Sequence, residues 1–344
     1  MINIRHNRYI HIVIIFSILI IIYLFIIKNF KKRVIYVGSE CKGSDGKRLI
    51  EYLIKLSYPR RKIIWENSNK SSFIVKSNFS HLEKEWNKDN KPYVYWSGES
   101  YNANDNKKYD DNSLTILSSA LSYDDTNNQN VYSVPYASLY FNYKKPYREY
   151  TDFNQFKQRK LLGYCNSSNI IIRELLVDFI AEKADETQVY ALGKSIGTSK
   201  KIIVKKIDGL HSTDNIIKEY SNYKFIIAME NKIVQGYITE KIINAFKSGS
   251  IPIYWGDPKI AKDIFNEKAF ICVNDFNTLD DCANHVVNLS KNYDKMKEML
   301  NEPVLKNNKI PDIFRIDDYK NPPPMYKEMS AKIKVIIDNN DKVS

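Results

Sequence analysis

The sequence predicts an α/β protein built on parallel sheets. Short apolar runs alternate with amphipathic stretches in both halves of the chain, the pattern of strands joined by crossover helices. The clearest strand is Phe225-Ile226-Ile227-Ala228-Met229, an unbroken apolar run. The clearest helix is Ile170–Lys183, with apolar residues at Ile171, Ile172, Leu175, Leu176, Phe179 and Ile180, a helical period.

The elements follow in chain order. Ile12 to Ile27 is apolar apart from Ser17 and Tyr23. Extended back to Tyr9, it gives roughly 19 residues, or about 28 Å of helix, close to the thickness of a bilayer core. Lys28-Asn29-Phe30-Lys31-Lys32-Arg33 follows without a small-residue cleavage site, so an uncleaved single-pass anchor is expected rather than a signal peptide. Residues 1–33 are thus a tail and anchor, with the span at about 10–27. Next come strands at Val34–Val37, Ser72–Val75, Tyr93–Trp96 and Thr115–Leu117, with a helix at Arg48–Leu56. Asn102–Asn112 and Asp124–Asn130 read as polar loops. Near Lys144–Arg159 the sequence turns polar and loses periodicity, which sets a boundary between domains at 34–155 and 156–325. The second domain continues with strands at Lys160–Cys165, Gln188–Leu192, Lys224–Met229 and Ile251–Trp255, and a helix at Thr239–Lys247. Residues 326–344 form a tail with one last helix, Met325–Ile337.

Composition narrows the function. The 344 residues carry 52 Lys+Arg against 40 Asp+Glu, a formal charge of +12, which suits an anionic partner. The lysines are spread rather than clustered, and no basic helix or aromatic platform points to nucleic acid. With 43% apolar residues the chain has material for sizeable cores, and four cysteines exclude a disulfide scaffold. A Cys272–Cys282 disulfide is conceivable, but buried free thiols are favoured. Orientation of the anchor draws on opposing signals. Arg5 and Arg8 precede the span and Lys28, Lys31, Lys32 and Arg33 follow it, which alone favours a cytosolic body. Four sequons, at Asn69, Asn78, Asn166 and Asn288, are usable only in a lumen. A type II arrangement with a lumenal (Golgi or ER) body is the preferred reading, and a cytosol-facing body the alternative.

The chemistry is densest between Lys224 and Phe276. The apolar strand runs into Glu230-Asn231, a loop follows, and Thr239-Glu240-Lys241 opens a helix with Thr239 as the N-cap. Ligands of parallel α/β sheets gather at the carboxyl ends of strands, and free N–H groups at a helix start form an anion site. A lysine in the first turn opposes the helix dipole unless an anion sits there. Arg173, in the first turn after the Lys160–Cys165 strand, poses the same question. Together the two cations fit a pyrophosphate clamp, Arg binding bidentately and Lys as a point charge. The competing reading is an ordinary capped helix whose Glu240 complements the dipole, with Arg173 on the surface. The sequence holds no G-x-G-x-x-G, Walker A, H-E-x-x-H, C-x-x-C or D-x-D motif.

Phe225-Ile-Ile-Ala-Met-Glu-Asn231, Gly236-Tyr-Ile-Thr-Glu-Lys241 and Ile251-Pro-Ile-Tyr-Trp-Gly-Asp-Pro258 closely resemble the signature of the α-1,3/4-fucosyltransferases, glycosyltransferase family 10. Ile260-Ala-Lys-Asp263 and Lys268-Ala-Phe-Ile271 extend the likeness, which is nearest to bacterial members. Weaker similarity reaches back through Leu161–Leu176 to Val134-Pro135 and Trp96-Ser-Gly-Glu99. The resemblance implies a GT-B fold: two Rossmann-like domains facing a cleft, here behind one transmembrane helix, with acceptor on the first and GDP-fucose on the second. It implies an inverting single displacement of L-fucose onto a hydroxyl of an N-acetylglucosamine- or glucose-type residue of an oligosaccharide or glycoprotein, α-1,3 being the favoured linkage. Glu99 resembles the general base, and Glu240 the carboxylate near the fucose or ribose. Arg173 and Lys241 resemble the residues that neutralise the diphosphate; Asn231 and Tyr237 resemble nucleotide or ribose contacts. Glu230 and Thr239 belong to the motif, with a structural role as the alternative to a direct one. No cofactor is required by this reading, though Mn2+ or Mg2+ could stimulate. Trp96, Tyr101, Tyr136 and Tyr254 are candidates for sugar stacking. The motif departs mildly from the family: Met229 replaces a common Phe, and Ser100 a frequent Asn. Two alternatives are carried: a GT-B transferase using another nucleotide-sugar, and an inactive membrane-tethered glycan-binding protein.

Overall fold

In the computed structural model the described residues are 16–20, 34–39, 46–67, 70–77, 91–99, 113–119, 130–145, 147–148, 152–185, 188–205, 207 and 213–340. Residues 16–20 are helical. The remaining elements, in chain order, are β1 (Val34–Ser39), α1 (Lys47–Ser57), β2 (Lys62–Trp65), β3 (Phe73–Lys76), β4 (Tyr93–Ser97), β5 (Leu114–Leu117), β6 (Val131–Ser133), α2 (Ala137–Tyr140), α3 (Phe153–Lys157), β7 (Lys160–Tyr164), α4 (Ile171–Lys183), β8 (Val189–Ala191), β9 (Ile202–Val204), α5 (Thr213–Tyr220), β10 (Tyr223–Met229), α6 (Glu240–Lys247), β11 (Ile251–Trp255), α7 (Pro258–Ile264), β12 (Ile271–Cys272), α8 (Leu279–Lys291), α9 (Tyr293–Asn301) and α10 (Pro324–Asn340), with short 3-10 turns between them.

The strands form two six-stranded sheets, ordered β2-β1-β3-β4-β5-β6 and β12-β11-β10-β7-β8-β9. In the first, β1–β2, β1–β3, β3–β4 and β5–β6 pair in parallel. In the second, every adjacent pair is parallel. Counted from β7, the second sheet has the doubly wound order 3-2-1-4-5-6, whose ligand crevice lies where the order reverses. Here that point lies between β7 and β10.

By its contacts the chain divides into two compact units: residues 1–96, 110–114 and 325–344, and residues 97–109 and 115–324. In the first unit α1 buries Leu49, Ile50, Tyr52, Leu53 and Ile54. The last helix, α10, returns to this unit: Tyr326 meets Tyr52 edge-on at 5.4 Å, and the Ser330 hydroxyl donates to the Leu53 carbonyl at 2.7 Å. In the second unit β10 is buried at every position. One face of the sheet packs Leu176, Val177 and Ile180 of α4 with Cys282, Ala283 and Val286 of α8. The other packs Ile242, Ile243 and Phe246 of α6 with Ala261 and Ile264 of α7. Cys165, Cys272 and Cys282 are free thiols; burial pushes the Cys282 thiol up to about 12.

Two expected features fall outside this description. The anchor at 10–27 lies largely outside the described residues, and no helix among them is long and apolar enough to cross a membrane. The polar loops at 102–112 and 124–130 also lie outside it, except for residue 130.

Candidate active site

The second sheet alone explains why the chemistry gathers where it does. Parallel strands direct their carboxyl ends, and the N-termini of the helices that follow them, to one edge of the sheet. The β7–α4 connection delivers Arg173, and the loop after β10 delivers Glu230 and Asn231. These are the two strands that flank the order reversal. Across that point the Arg173 guanidinium donates from Nη2 to the Asn231 Oδ1 at 2.5 Å.

Arg173 is not the surface residue of the competing reading. It is 1% exposed, and its Nε is a buried donor without a partner. Burial lowers its pKa, while Glu230, Glu240 and the Tyr237 phenol counteract that pull. A second buried donor without a partner, the Asn166 Nδ2, lies on the same β7–α4 connection. Buried N–H groups left unpaired are costly, so each of these donors is open to an acceptor. Sequence reasoning missed Asn166, which it read only as a sequon. Its position just past a buried strand end was the available signal.

Glu230 is the centre of the other half of the site. It is fully buried. Its Oε1 accepts from the Thr239 backbone N–H at 2.8 Å, and its carboxylate takes the Thr239 hydroxyl at 2.8–2.9 Å. The Lys241 ammonium donates to Glu230 at 3.2 Å, to the Thr239 hydroxyl oxygen at 3.0 Å and to Glu240 at 3.5 Å. Burial pushes the Glu230 carboxyl up, with Lys241 the strongest counterweight. Burial works against the Lys241 charge too, but Glu230 and Glu240 outweigh it and raise its pKa.

This geometry corrects two expectations. Thr239 does occupy the N-cap of α6, yet its side chain caps no helix N–H; hydroxyl and amide both turn to Glu230. Lys241 is not a lone cation at a helix start, because two carboxylates of its own chain face it. Glu230 therefore has a clear structural role: it closes the neck of the loop between β10 and α6.

Within the second unit, Tyr237 and Glu99 come near one another. Tyr237 is 3% exposed, and its hydroxyl donates to the Gly98 carbonyl at 3.4 Å. Burial raises its pKa, and the carboxylates of Glu230, Glu99 and Glu240 add to the rise; the phenol is thereby held as a donor. Glu99 is half-buried just beyond β4, with its backbone N–H on the Ser97 hydroxyl at 3.4 Å. Of the expected stacking aromatics, Tyr254 is fully buried and Trp96 is 4% exposed; both are packing residues. Tyr136 is half-buried and shares a 2.9 Å hydroxyl contact with Tyr140, and Tyr101 lies outside the described residues. Among the described residues no group of three or more His, Cys, Asp or Glu is arranged to hold a metal ion.

Residues 156–301, which carry Arg173, Glu230, Asn231, Tyr237, Thr239, Glu240 and Lys241, match the family model described as glycosyltransferase family 10 (fucosyltransferase), C-terminal. This segment is similar to the family 10 glycosyltransferase domain. Similarity to individual proteins is strong but local. A putative fucosyltransferase of Acanthamoeba polyphaga mimivirus is 45% identical over 94 residues, which is 27% of this chain and 16% of that protein. The α-(1,3)-fucosyltransferase FucT of Helicobacter pylori is 38% identical over 120 residues, or 35% of this chain and 24% of that one. Human GDP-fucose protein O-fucosyltransferase 3 is 33% identical over 93 residues, covering 27% of this chain and 19% of that one. The chain thus spans at most about a quarter of the length of these relatives. Similarity of fold reaches much further. The crystal structure of an α1,3-fucosyltransferase matches with a TM-score of 0.58 and 21% identity over 89% of this chain and 90% of that one. Its form with GDP-fucose matches at 0.56. The fold is GT-B-like, with two parallel sheets, and the segment that matches the family model contains the second of them.

Proposed function

We propose that the chain is an inverting fucosyltransferase that uses GDP-fucose. The observation that carries this reading is the Arg173–Asn231 pair across the β7–β10 reversal point, with the Arg173 Nε a buried donor that has no partner among the described residues, in a segment that matches the fucosyltransferase family. An anionic group at the reversal point of a doubly wound sheet would meet that donor and the start of α4. When the glycosidic bond of GDP-fucose breaks, negative charge collects on the diphosphate. Buried, preorganised donors stabilise that charge best where water is excluded. Arg173 would carry most of this task, with Lys241 behind it.

The acceptor is a hydroxyl, a poor nucleophile, so a positioned carboxylate is needed to take its proton. Glu99 is the group we assign to that role. The C–O bond to fucose forms as the bond to GDP breaks, on the opposite face of the sugar, and the proton ends on Glu99. Glu240 lies within electrostatic reach of both Arg173 and Tyr237 and would face the fucose or ribose. The acceptor we propose is an N-acetylglucosamine- or glucose-type residue of an oligosaccharide or glycoprotein, joined in α-1,3 linkage. No cofactor is required in this scheme, since the protein's own cations meet the leaving group. The apolar run at residues 12–27 would tether the enzyme to a bilayer, with a lumenal body.

The test is direct. Full-length protein in detergent is incubated with GDP-fucose and a panel of galactose/N-acetylglucosamine oligosaccharides, with and without Mn2+ or Mg2+, beside Glu99→Gln. Fucose transfer by the wild type, lost in the variant, supports donor, reaction and base together. Turnover of another GDP-sugar instead, or tight GDP-fucose binding without transfer, sinks the proposal in favour of a different transferase or a glycan-binding protein.

A further inference from the structure

The loop between β10 and α6 carries Asn231 at one end and Tyr237 at the other, and a neighbouring turn clasps it at both. That turn, Trp255-Gly256-Asp257, joins β11 to α7. At the near end the Glu230 N–H donates to the Trp255 carbonyl at 2.7 Å. At the far end the Gly236 N–H donates to the Asp257 Oδ2 at 2.7 Å. Gly236 has φ +73°, a left-handed conformation that a side chain would resist. Between the two ends, a Cβ on Gly256 would fall 3.0 Å from the Glu230 Cγ and 2.4 Å from the Tyr254 hydroxyl. The turn is therefore seated directly against Glu230.

The sequence explains how one aspartate serves two elements. Asp257 caps α7, and its Oδ1 accepts from the Lys259 N–H at 3.0 Å. Pro258 occupies the first helical position and has no N–H to offer. One oxygen therefore completes the cap, and the other is left for Gly236. A serine or asparagine would satisfy the cap as well as aspartate does, but neither offers a second acceptor oxygen in that place.

We propose that Asp257 is a positioning residue for the nucleotide-sugar: its second carboxylate oxygen fixes the loop that presents Asn231 and Tyr237, separately from its work as a helix cap. The inference rests on the fucosyltransferase reading for the ligand, but not for the clasp itself. Asn231 receives the Arg173 guanidinium, so a loosened loop would weaken the alignment of the donor site.

The experiment compares full-length wild type with Asp257→Ser and Asp257→Asn, which keep a cap, and with Asp257→Ala, which does not. Three quantities are read: amide hydrogen exchange across 231–238, affinity for GDP with KM and kcat for GDP-fucose, and the thermal midpoint. The Ser and Asn variants should exchange about tenfold faster across this segment and bind GDP about tenfold more weakly, the loss of one hydrogen bond to a charged group. Their KM for GDP-fucose should rise similarly, with kcat within about threefold and the thermal midpoint near wild type. Asp257→Ala should add a clear loss of thermal stability. If Ser and Asn match wild type in exchange and GDP affinity, and only Ala is altered, Asp257 is a helix cap alone and the proposal is wrong. A wild type that binds no GDP refutes the fucosyltransferase reading instead, and the exchange data still decide the clasp.

Discussion

Two strand-to-helix junctions in the second unit each deliver a cation to the carboxyl edge of one sheet, and they treat it differently. After β7, Arg173 is buried against a neutral amide, Asn231, and no carboxylate pairs with it among the described residues. After β10, Lys241 is held by Glu230 and Glu240. A cation near a helix start therefore has two distinct meanings. Arg173 keeps uncommitted donor capacity for an incoming anion. Lys241 first compensates the buried charge of its own chain, and what it offers a ligand is what remains.

That contrast orders a set of variants by expected effect on GDP affinity. Arg173→Ala should weaken GDP binding most, by about a hundredfold or more, because charge-assisted hydrogen bonds in a buried site are lost. Arg173→Lys should recover little, since a point charge does not reproduce the guanidinium fork; isothermal titration with GDP measures both. Lys241→Ala should cost about tenfold in GDP affinity. It should also lower the thermal midpoint, because it leaves Glu230 without its counter-charge.

Combining Lys241→Ala with Glu230→Gln should restore much of that stability without restoring GDP binding. If the double variant recovers both, Lys241 serves only Glu230 and the distinction between the junctions disappears. Glu230→Gln alone should change GDP affinity by less than about threefold while lowering the thermal midpoint, since Thr239 and Lys241 lose a charged acceptor. Smallest of all is the effect of Glu99→Gln, which should leave GDP affinity unchanged and lower kcat by about a hundredfold or more; a parallel fall in GDP affinity would contradict its assignment as base.

Much of the second unit was legible in the sequence for one physical reason: strands buried on both faces must be apolar throughout. Phe225–Met229 and Ile251–Trp255 lie within the strands observed there. The same reasoning had no purchase on β9, a short edge strand whose three residues are all at least partly exposed, or on β2, of which no residue is fully buried. The site divides similarly. Arg173 and Lys241 stood out because each opposes a helix dipole. Glu230 was recognised only as a motif member, since nothing in Glu-Asn reveals that a carboxylate will be fully buried against a threonine nine residues ahead. In the sequence Asp257 was legible only as part of the Ile251–Pro258 motif; its bond to Gly236, 21 residues earlier, exists only once β10 and β11 are side by side.

The return of α10 to the first unit has a consequence for the order in which the protein is made. Helix α1 packs Tyr52 against Tyr326, Ser330 closes on Leu53 and Ser57, and Asn340 donates to the Ser72 carbonyl. Tyr326, Met329, Ile333 and Ile337 are fully buried. A unit begun before the second one is thus finished by residues made after it. While the second unit is being synthesised, the first waits with an apolar flank uncovered, and a premature stop before residue 325 would strike the first unit rather than the second, made just before the break.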